Sequence, residues 1–141
     1  MRCAIWLGAS FAALAACAPA PPPEPALAPA AVTLVSDRAC RAIDGDTIDC
    51  GAVRVRLVNV DTPELAGACP AEIALAARAR DFTAARLAAG PVEIKPDPKR
   101  PRDRYGRALA LVIVEGRDIG EDLIAAGMAR RWDGRRRPWC P

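Results

Sequence analysis

Val53-Arg54-Val55-Arg56-Leu57-Val58-Asn59-Val60, followed at once by Asp61-Thr62-Pro63-Glu64, has the pattern of a strand that runs out into an acidic turn. Val53, Val55 and Leu57 alternate with Arg54 and Arg56, the period of two that sends apolar side chains to one face of a sheet and polar ones to the other. Upstream, Gly51 and Asp44-Gly45 are turn signals that separate two more strands, Thr33 to Ile43 and Thr47 to Cys50. Downstream, Pro70 to Ala89 is predicted to be a helix: proline opens it, alanines dominate it, Leu75, Ala79 and Phe82 share a face, and Gly90-Pro91 stops it.

Two further strands are predicted over Val92 to Lys95 and Arg107 to Val114, the second an almost unbroken apolar run of the kind buried on both sides. Asp118 with Glu121 has the spacing of a capping box and opens a helix from Ile119 to Ala129, with Ile119 and Leu123 facing inward. Three strands, a helix, two strands and a helix is the order of an oligonucleotide-binding (OB) barrel. The expected fold is therefore mainly β with helices (α+β): a five-stranded OB barrel with a helix between strands 3 and 4 and a short C-terminal helix. Residues 32–141, without internal repeats, suffice for one such domain.

The residues before it have a different chemistry. Met1-Arg2 precedes fourteen uncharged residues, Cys3 to Ala16, too few for the roughly 20 that span a bilayer as a helix. Residues 1–16 therefore read as a secretory signal. Leu14-Ala15-Ala16-Cys17 has the form of a bacterial lipobox, with cleavage before Cys17 and lipidation of it; an ordinary secreted protein cut a few residues later is the alternative. Ala18 to Ala31 holds six Pro and six Ala, so residues 17–31 read as a lipidated cysteine and an extended linker. The expected location is outside the cytoplasm, as a membrane-anchored lipoprotein facing the periplasm or cell exterior. Cys40, Cys50, Cys69 and Cys140 then remain, and four cysteines in an oxidising compartment allow three pairings. Cys40 and Cys50 flank Asp44-Gly45-Asp46-Thr47 almost symmetrically, which favours Cys40–Cys50 across a hairpin and leaves Cys69–Cys140; four free buried thiols are the other possibility.

The chain has no histidine, which excludes Ser-His-Asp and Cys-His nucleophile systems and histidine metal sites. Carboxylates and arginines must do any chemistry. Acidic residues gather at two strand ends, Asp44-Gly45-Asp46 and Asp61-Thr62-Pro63-Glu64. Two Asp and a backbone carbonyl from neighbouring loops suit a hard cation such as Ca²⁺, although Asp-Gly and Asp-Thr-Pro also form turns without metal. The net charge is only +3, but Pro98 to Arg107 and Arg130 to Arg137 each carry +4. Such local positive fields favour a polyanion, nucleic acid or, for the second run, anionic lipid.

Three blocks, Ile43-Asp44-Gly45-Asp46-Thr47, Val55 to Glu64, and Asp103-Arg104-Tyr105-Gly106-Arg107-Ala108-Leu109-Ala110, resemble in type and order the signature blocks of the staphylococcal nuclease family. The resemblance covers about Thr33 to Arg131 and implies an OB barrel. It also implies a monomeric Ca²⁺-dependent nuclease that cleaves phosphodiesters of DNA and/or RNA by in-line attack. By position, it makes Asp46 and Asp61 carboxylate ligands of calcium, with the Thr62 backbone carbonyl beside them. Glu64 becomes the general base, Arg56 and Arg107 the groups that hold the phosphate and stabilise its developing charge, and Arg104 and Tyr105 substrate-binding residues. These residue types suit the roles, since guanidinium binds phosphate bidentately and a carboxylate accepts a proton from water. The resemblance departs after Ala129, where the family continues into a third helix and this chain runs through Arg131-Trp132-Asp133 to Pro141. Trp132 and Trp139 there offer either packing or a stacking surface. A non-catalytic OB module that binds nucleic acid, or an envelope-associated scaffold, is the alternative to the enzyme.

Overall fold

The computed structural model describes residues 34–36 and 40–141; the predicted signal, Cys17 and the linker lie outside them. The strands are β1 (Leu34–Ser36), β2 (Cys40–Ala42), β3 (Thr47–Cys50), β4 (Val53–Leu57), β5 (Val60–Asp61), β6 (Val92–Pro96), β7 (Ala108–Val114), β8 (Arg117–Asp118) and β9 (Arg130–Arg131), with helices α1 (Pro70–Leu87) and α2 (Ile119–Ala125). The main sheet has the order β1-β6-β7-β4-β3-β2, and β4 pairs in parallel with β7 while the other neighbours are antiparallel. Its two ends, β1 and β2, are only three residues apart in the chain. Six flat strands would place those ends roughly 24 Å apart at about 4.8 Å per strand. Ser36 and Cys40 are joined by a chain that reaches at most about 14 Å, so the sheet must curl. Counting β1 and β2 as the two ends of one first strand gives the five-stranded OB order.

The expected strand Val53 to Val60 is broken in two. The Leu57 N–H donates to the Asp46 carbonyl at 2.8 Å and the Val58 N–H to the Ala110 carbonyl at 3.1 Å, after which the chain leaves the sheet and β5 pairs with β9. Strand β8 was not foreseen; the Glu115-Gly116 turn, with φ of 51° and 73°, folds it back onto β7 in the doubly left-handed geometry that suits tight hairpins. Strand β7 is buried on one face and half-buried on the other. The face of α1 is also shifted from the expectation: Ala76, Ala79, Thr83 and Leu87 are buried, while Leu75 and Phe82 flank them half-buried. Helix α2 ends at Ala125, short of Ala129, because Gly127 (φ 68°) closes it with Gly127 N–H to Ile124 and Met128 N–H to Leu123, the paired bonds of a Schellman motif. Its start is half the expected box. Asp118 caps Gly120 N–H at 2.8 Å, but the Glu121 carboxylate turns to Arg131 and Asn59.

Ile48, Val55, Leu57, Val112, Val114, Ile119 and Leu123 fill the interior between sheet and helices. The small side chains on α1 let the Asp44-Gly45-Asp46 turn press against the helix. A Cβ on Gly45 would lie 2.8 Å from Ala79 Cβ and 2.9 Å from Thr62 Cγ2, closer than carbon atoms pack. Two disulfides secure the periphery: Cys40–Cys50 joins opposed residues of β2 and β3, and Cys69–Cys140 ties the start of α1 to the tail, 71 residues on. Closing a loop of that size stabilises a fold by about 4 kcal/mol in the chain-entropy model.

Gly45→Ala should therefore destabilise the domain by about 2 kcal/mol through overpacking against α1, read as a lower urea midpoint at unchanged m-value. An unchanged midpoint would show that turn and helix separate freely.

Candidate active site

The Asp46 carboxylate is the junction of three chain segments. It is 2% exposed; Oδ1 accepts from Thr47 Oγ1 at 3.1 Å and pairs with Arg56 Nη1, and Oδ2 accepts the Thr62 N–H at 3.3 Å. The turn that carries it is shaped from within, by the Asp46 N–H donating to Asp44 Oδ1 at 3.0 Å, and from outside, by Thr83 Oγ1 of α1 donating to the Gly45 carbonyl at 2.8 Å. Arg56 reaches it because β4 lies beside β3 with Thr47 opposite Arg56.

Asp61, at the end of β5, is 3% exposed. Arg136 Nη2 lies 3.1 Å from Asp61 Oδ1, close enough to pair by charge but not aligned as a donor, so this buried oxygen has no hydrogen bond among the described residues. Burial, and next the Asp46 charge, push the Asp61 carboxyl above the ordinary Asp range against the opposing pull of Arg136 and Arg56. Burial and the same Asp46 charge raise Asp44 as well. Crowded buried carboxylates and an orphaned oxygen are what a hard cation relieves, and an all-oxygen donor set suits Ca²⁺ or a similar ion.

Glu64 stands half-exposed past Pro63 and pairs with Arg136. Its backbone is held by Glu72, buried in the first turn of α1, whose carboxylate accepts the Glu64 N–H at 3.3 Å and the Ala68 N–H at 2.8 Å. Glu72 also touches the Cys69–Cys140 bridge, but with both sulfurs oxidised that cluster offers no metal site. Arg107 is held by Asp103, with Nε 2.7 Å from Oδ2. Hydrogen bonds from Arg107 and from the Tyr105 and Arg107 amides outweigh a burial effect and keep the Asp103 carboxyl below the usual range. Tyr105 is 68% exposed, with Arg104 4.8 Å and Arg107 5.4 Å from its ring centre.

Asp44, Arg56, Glu64, Arg107, Trp132 and Arg136 help to line one cleft of about 930 Å³. Asp46 and Asp61 are buried outside this lining, each paired with an arginine that belongs to it, Arg56 and Arg136. Both basic runs contribute: Arg100, Arg102, Arg104 and Arg107 from the first and Arg136 from the second. Trp132 stands in the cleft wall, whereas Trp139 packs under Arg130, 3.8 Å from its ring. Four residues of the site had no role assigned from sequence. Asp44 was visible as part of its turn, Arg136 only as one of five arginines in a run, and Glu72 and Thr83 as ordinary helix positions.

Because folding raises the Asp44 and Asp61 carboxyls, their ionisation opposes the metal-free fold. That penalty is complete above the raised values and disappears as the pH falls to about the unfolded value of 3.8. Asp61→Asn should accordingly raise the melting temperature at pH 7 in chelator by a few degrees, and the gain should shrink toward pH 4. A lower melting temperature at pH 7 would mean that the Arg136 pair outweighs the burial cost.

Comparison with known proteins identifies the family. The family model described as staphylococcal nuclease homologue matches residues 54–138. The thermonuclease of Staphylococcus hyicus is 37% identical over 94 residues, 64% of this chain and 55% of that protein. Endonuclease YncB of Bacillus subtilis is 36% identical over 96 residues (64% and 44%), and the succinoglycan biosynthesis protein ExoI of Rhizobium meliloti 34% over 95 (62% and 47%). The chain spans about half the length of these curated relatives. With more than half of its residues matched by the family model, and with the OB order of its strands, the chain belongs to the staphylococcal nuclease family.

Proposed function

We propose that the protein is a Ca²⁺-dependent nuclease that hydrolyses phosphodiester bonds of DNA or RNA. The observation that carries this reading is that one cleft is lined by two arginines, Arg56 and Arg107, and a half-exposed carboxylate, Glu64, with the buried carboxylates Asp46 and Asp61 paired to its lining residues Arg56 and Arg136. Asp46, Asp61 and the Thr62 carbonyl would hold the cation, which when bound polarises a phosphoryl oxygen. Arg56 and Arg107 grip the phosphate and oppose the negative charge that builds on it, at the cost of loosening their pairs with Asp46 and Asp103. Glu64, half-exposed at the cleft wall, takes the proton from the attacking water. Arg104 and Tyr105 extend the cationic and stacking surface along the substrate. The lipobox at Leu14 to Cys17 and the Pro-rich linker support action outside the cytoplasm from a membrane anchor; among the described residues no helix is long and apolar enough to cross a membrane.

The test is cleavage of single-stranded DNA and of RNA with Ca²⁺ and with chelator. Glu64→Gln should lower kcat by about 10² to 10⁴ while leaving DNA affinity within about twofold, since only the base is removed. Tight binding by the wild-type protein without cleavage, under Ca²⁺ and other divalent ions, would instead mark a non-catalytic OB module.

A further inference from the structure

The tail after β9 is fastened at several points. Cys140 is bonded to Cys69, the Trp132 N–H donates to the Asn59 carbonyl at 2.9 Å, and Arg130 donates to the Pro138 carbonyl at 2.9 Å while covering Trp139. Between these anchors Arg136 turns back into the cleft, with one nitrogen on Glu64 and the other 3.1 Å from Asp61 Oδ1. Arg137 and Arg131 of the same run are engaged elsewhere, with Asp133 and with Glu121. One fixed positive charge thus sits between the two carboxylates to which the proposed reaction gives different duties, metal ligand and base. It meets Asp61 by proximity, without an aligned hydrogen bond, so little directional bonding is lost when it leaves.

We infer that Arg136 is the resident counter-cation of the metal centre: its guanidinium neutralises Asp61 and Glu64 in the metal-free protein, and an incoming divalent cation must displace it from Asp61. The inference rests on the proposed assignment of Asp61 as a metal ligand. It follows from charge alone that two cations cannot both hold one buried carboxylate at full strength, and that a competitor tethered to the fold acts at a high effective concentration. The Cys69–Cys140 bridge fixes that tether. Metal affinity is therefore coupled to the oxidation state of a disulfide whose sulfurs are not ligands.

Calorimetric titration of Ca²⁺ into the full-length protein tests this without reference to turnover. Arg136→Gln should bind Ca²⁺ about tenfold more tightly than wild type. Arg136→Lys, which keeps the charge, should stay nearer to wild type, and Arg137→Gln, whose partner is Asp133, should not differ from it. The double variant Cys69→Ser, Cys140→Ser should move affinity in the direction of Arg136→Gln. Equal or weaker binding by Arg136→Gln would overturn the inference and make Arg136 a clamp that organises the carboxylates. If neither wild type nor Arg136→Gln binds a divalent cation, the metal centre itself falls and this inference with it; cation binding with unchanged affinity removes the inference alone.

Discussion

Burial of the Asp46 carboxylate is the constraint around which the domain is arranged. An ionised carboxylate removed from water is costly unless charge and hydrogen bonds replace the lost hydration, and here the replacements come from separate elements. Arg56 approaches along β4, Thr62 through its backbone after β5, and Thr47 from the next residue of the chain. The turn that carries Asp46 is seated on α1 by the missing side chain of Gly45 and the Thr83 hydrogen bond. The same contacts that keep the turn folded place Asp61 beside it, so the second carboxylate arrives with its own unmet need. Stability and chemistry are opposed at this point. The two carboxyls raised by burial and by Asp46 weaken the metal-free fold and suit the site to a cation.

The electrostatics of the cleft follow from topology more than from composition. A net charge of +3 says little about a substrate, yet arginines of two basic runs separated in the chain line the same cleft, with β9 returning the tail to β5. Arg131 and Arg137 of the second run are paired with Glu121 and Asp133, and Arg136 is the arginine of that run that lines the cleft. The tail is held against the body by the Cys69–Cys140 disulfide, and within it Arg130 covers Trp139.

Much of this was legible beforehand, for identifiable reasons. Alternation in Val53 to Leu57 marks a strand because period-two burial is local, whereas the expected helix from Ile119 to Ala129 ran past Gly127, whose left-handed backbone closes it early. The bracketing of Asp44 to Thr47 by Cys40 and Cys50 is likewise a short-range pattern. What could not be read depends on distant partners. The break after Leu57 is set by Ala110 and Trp132, the inward face of α1 by where the Gly45 turn lands, and the position of Glu64 by Glu72 and Arg136. Glu121 shows the limit most plainly: its spacing from Asp118 suits a capping box, but Arg131, brought near by β9, offers a stronger partner than a backbone N–H.

The most direct test of the account is a crystal structure of the protein grown with CaCl₂ and a short oligodeoxynucleotide, with calcium located by its anomalous scattering. The account predicts one calcium at about 2.3 to 2.6 Å from carboxylate oxygens of Asp46 and Asp61 and from the Thr62 carbonyl, with a phosphate between Arg56 and Arg107. Calcium bound elsewhere, or Asp61 still held by Arg136 at saturating calcium with the phosphate outside the cleft, would contradict it.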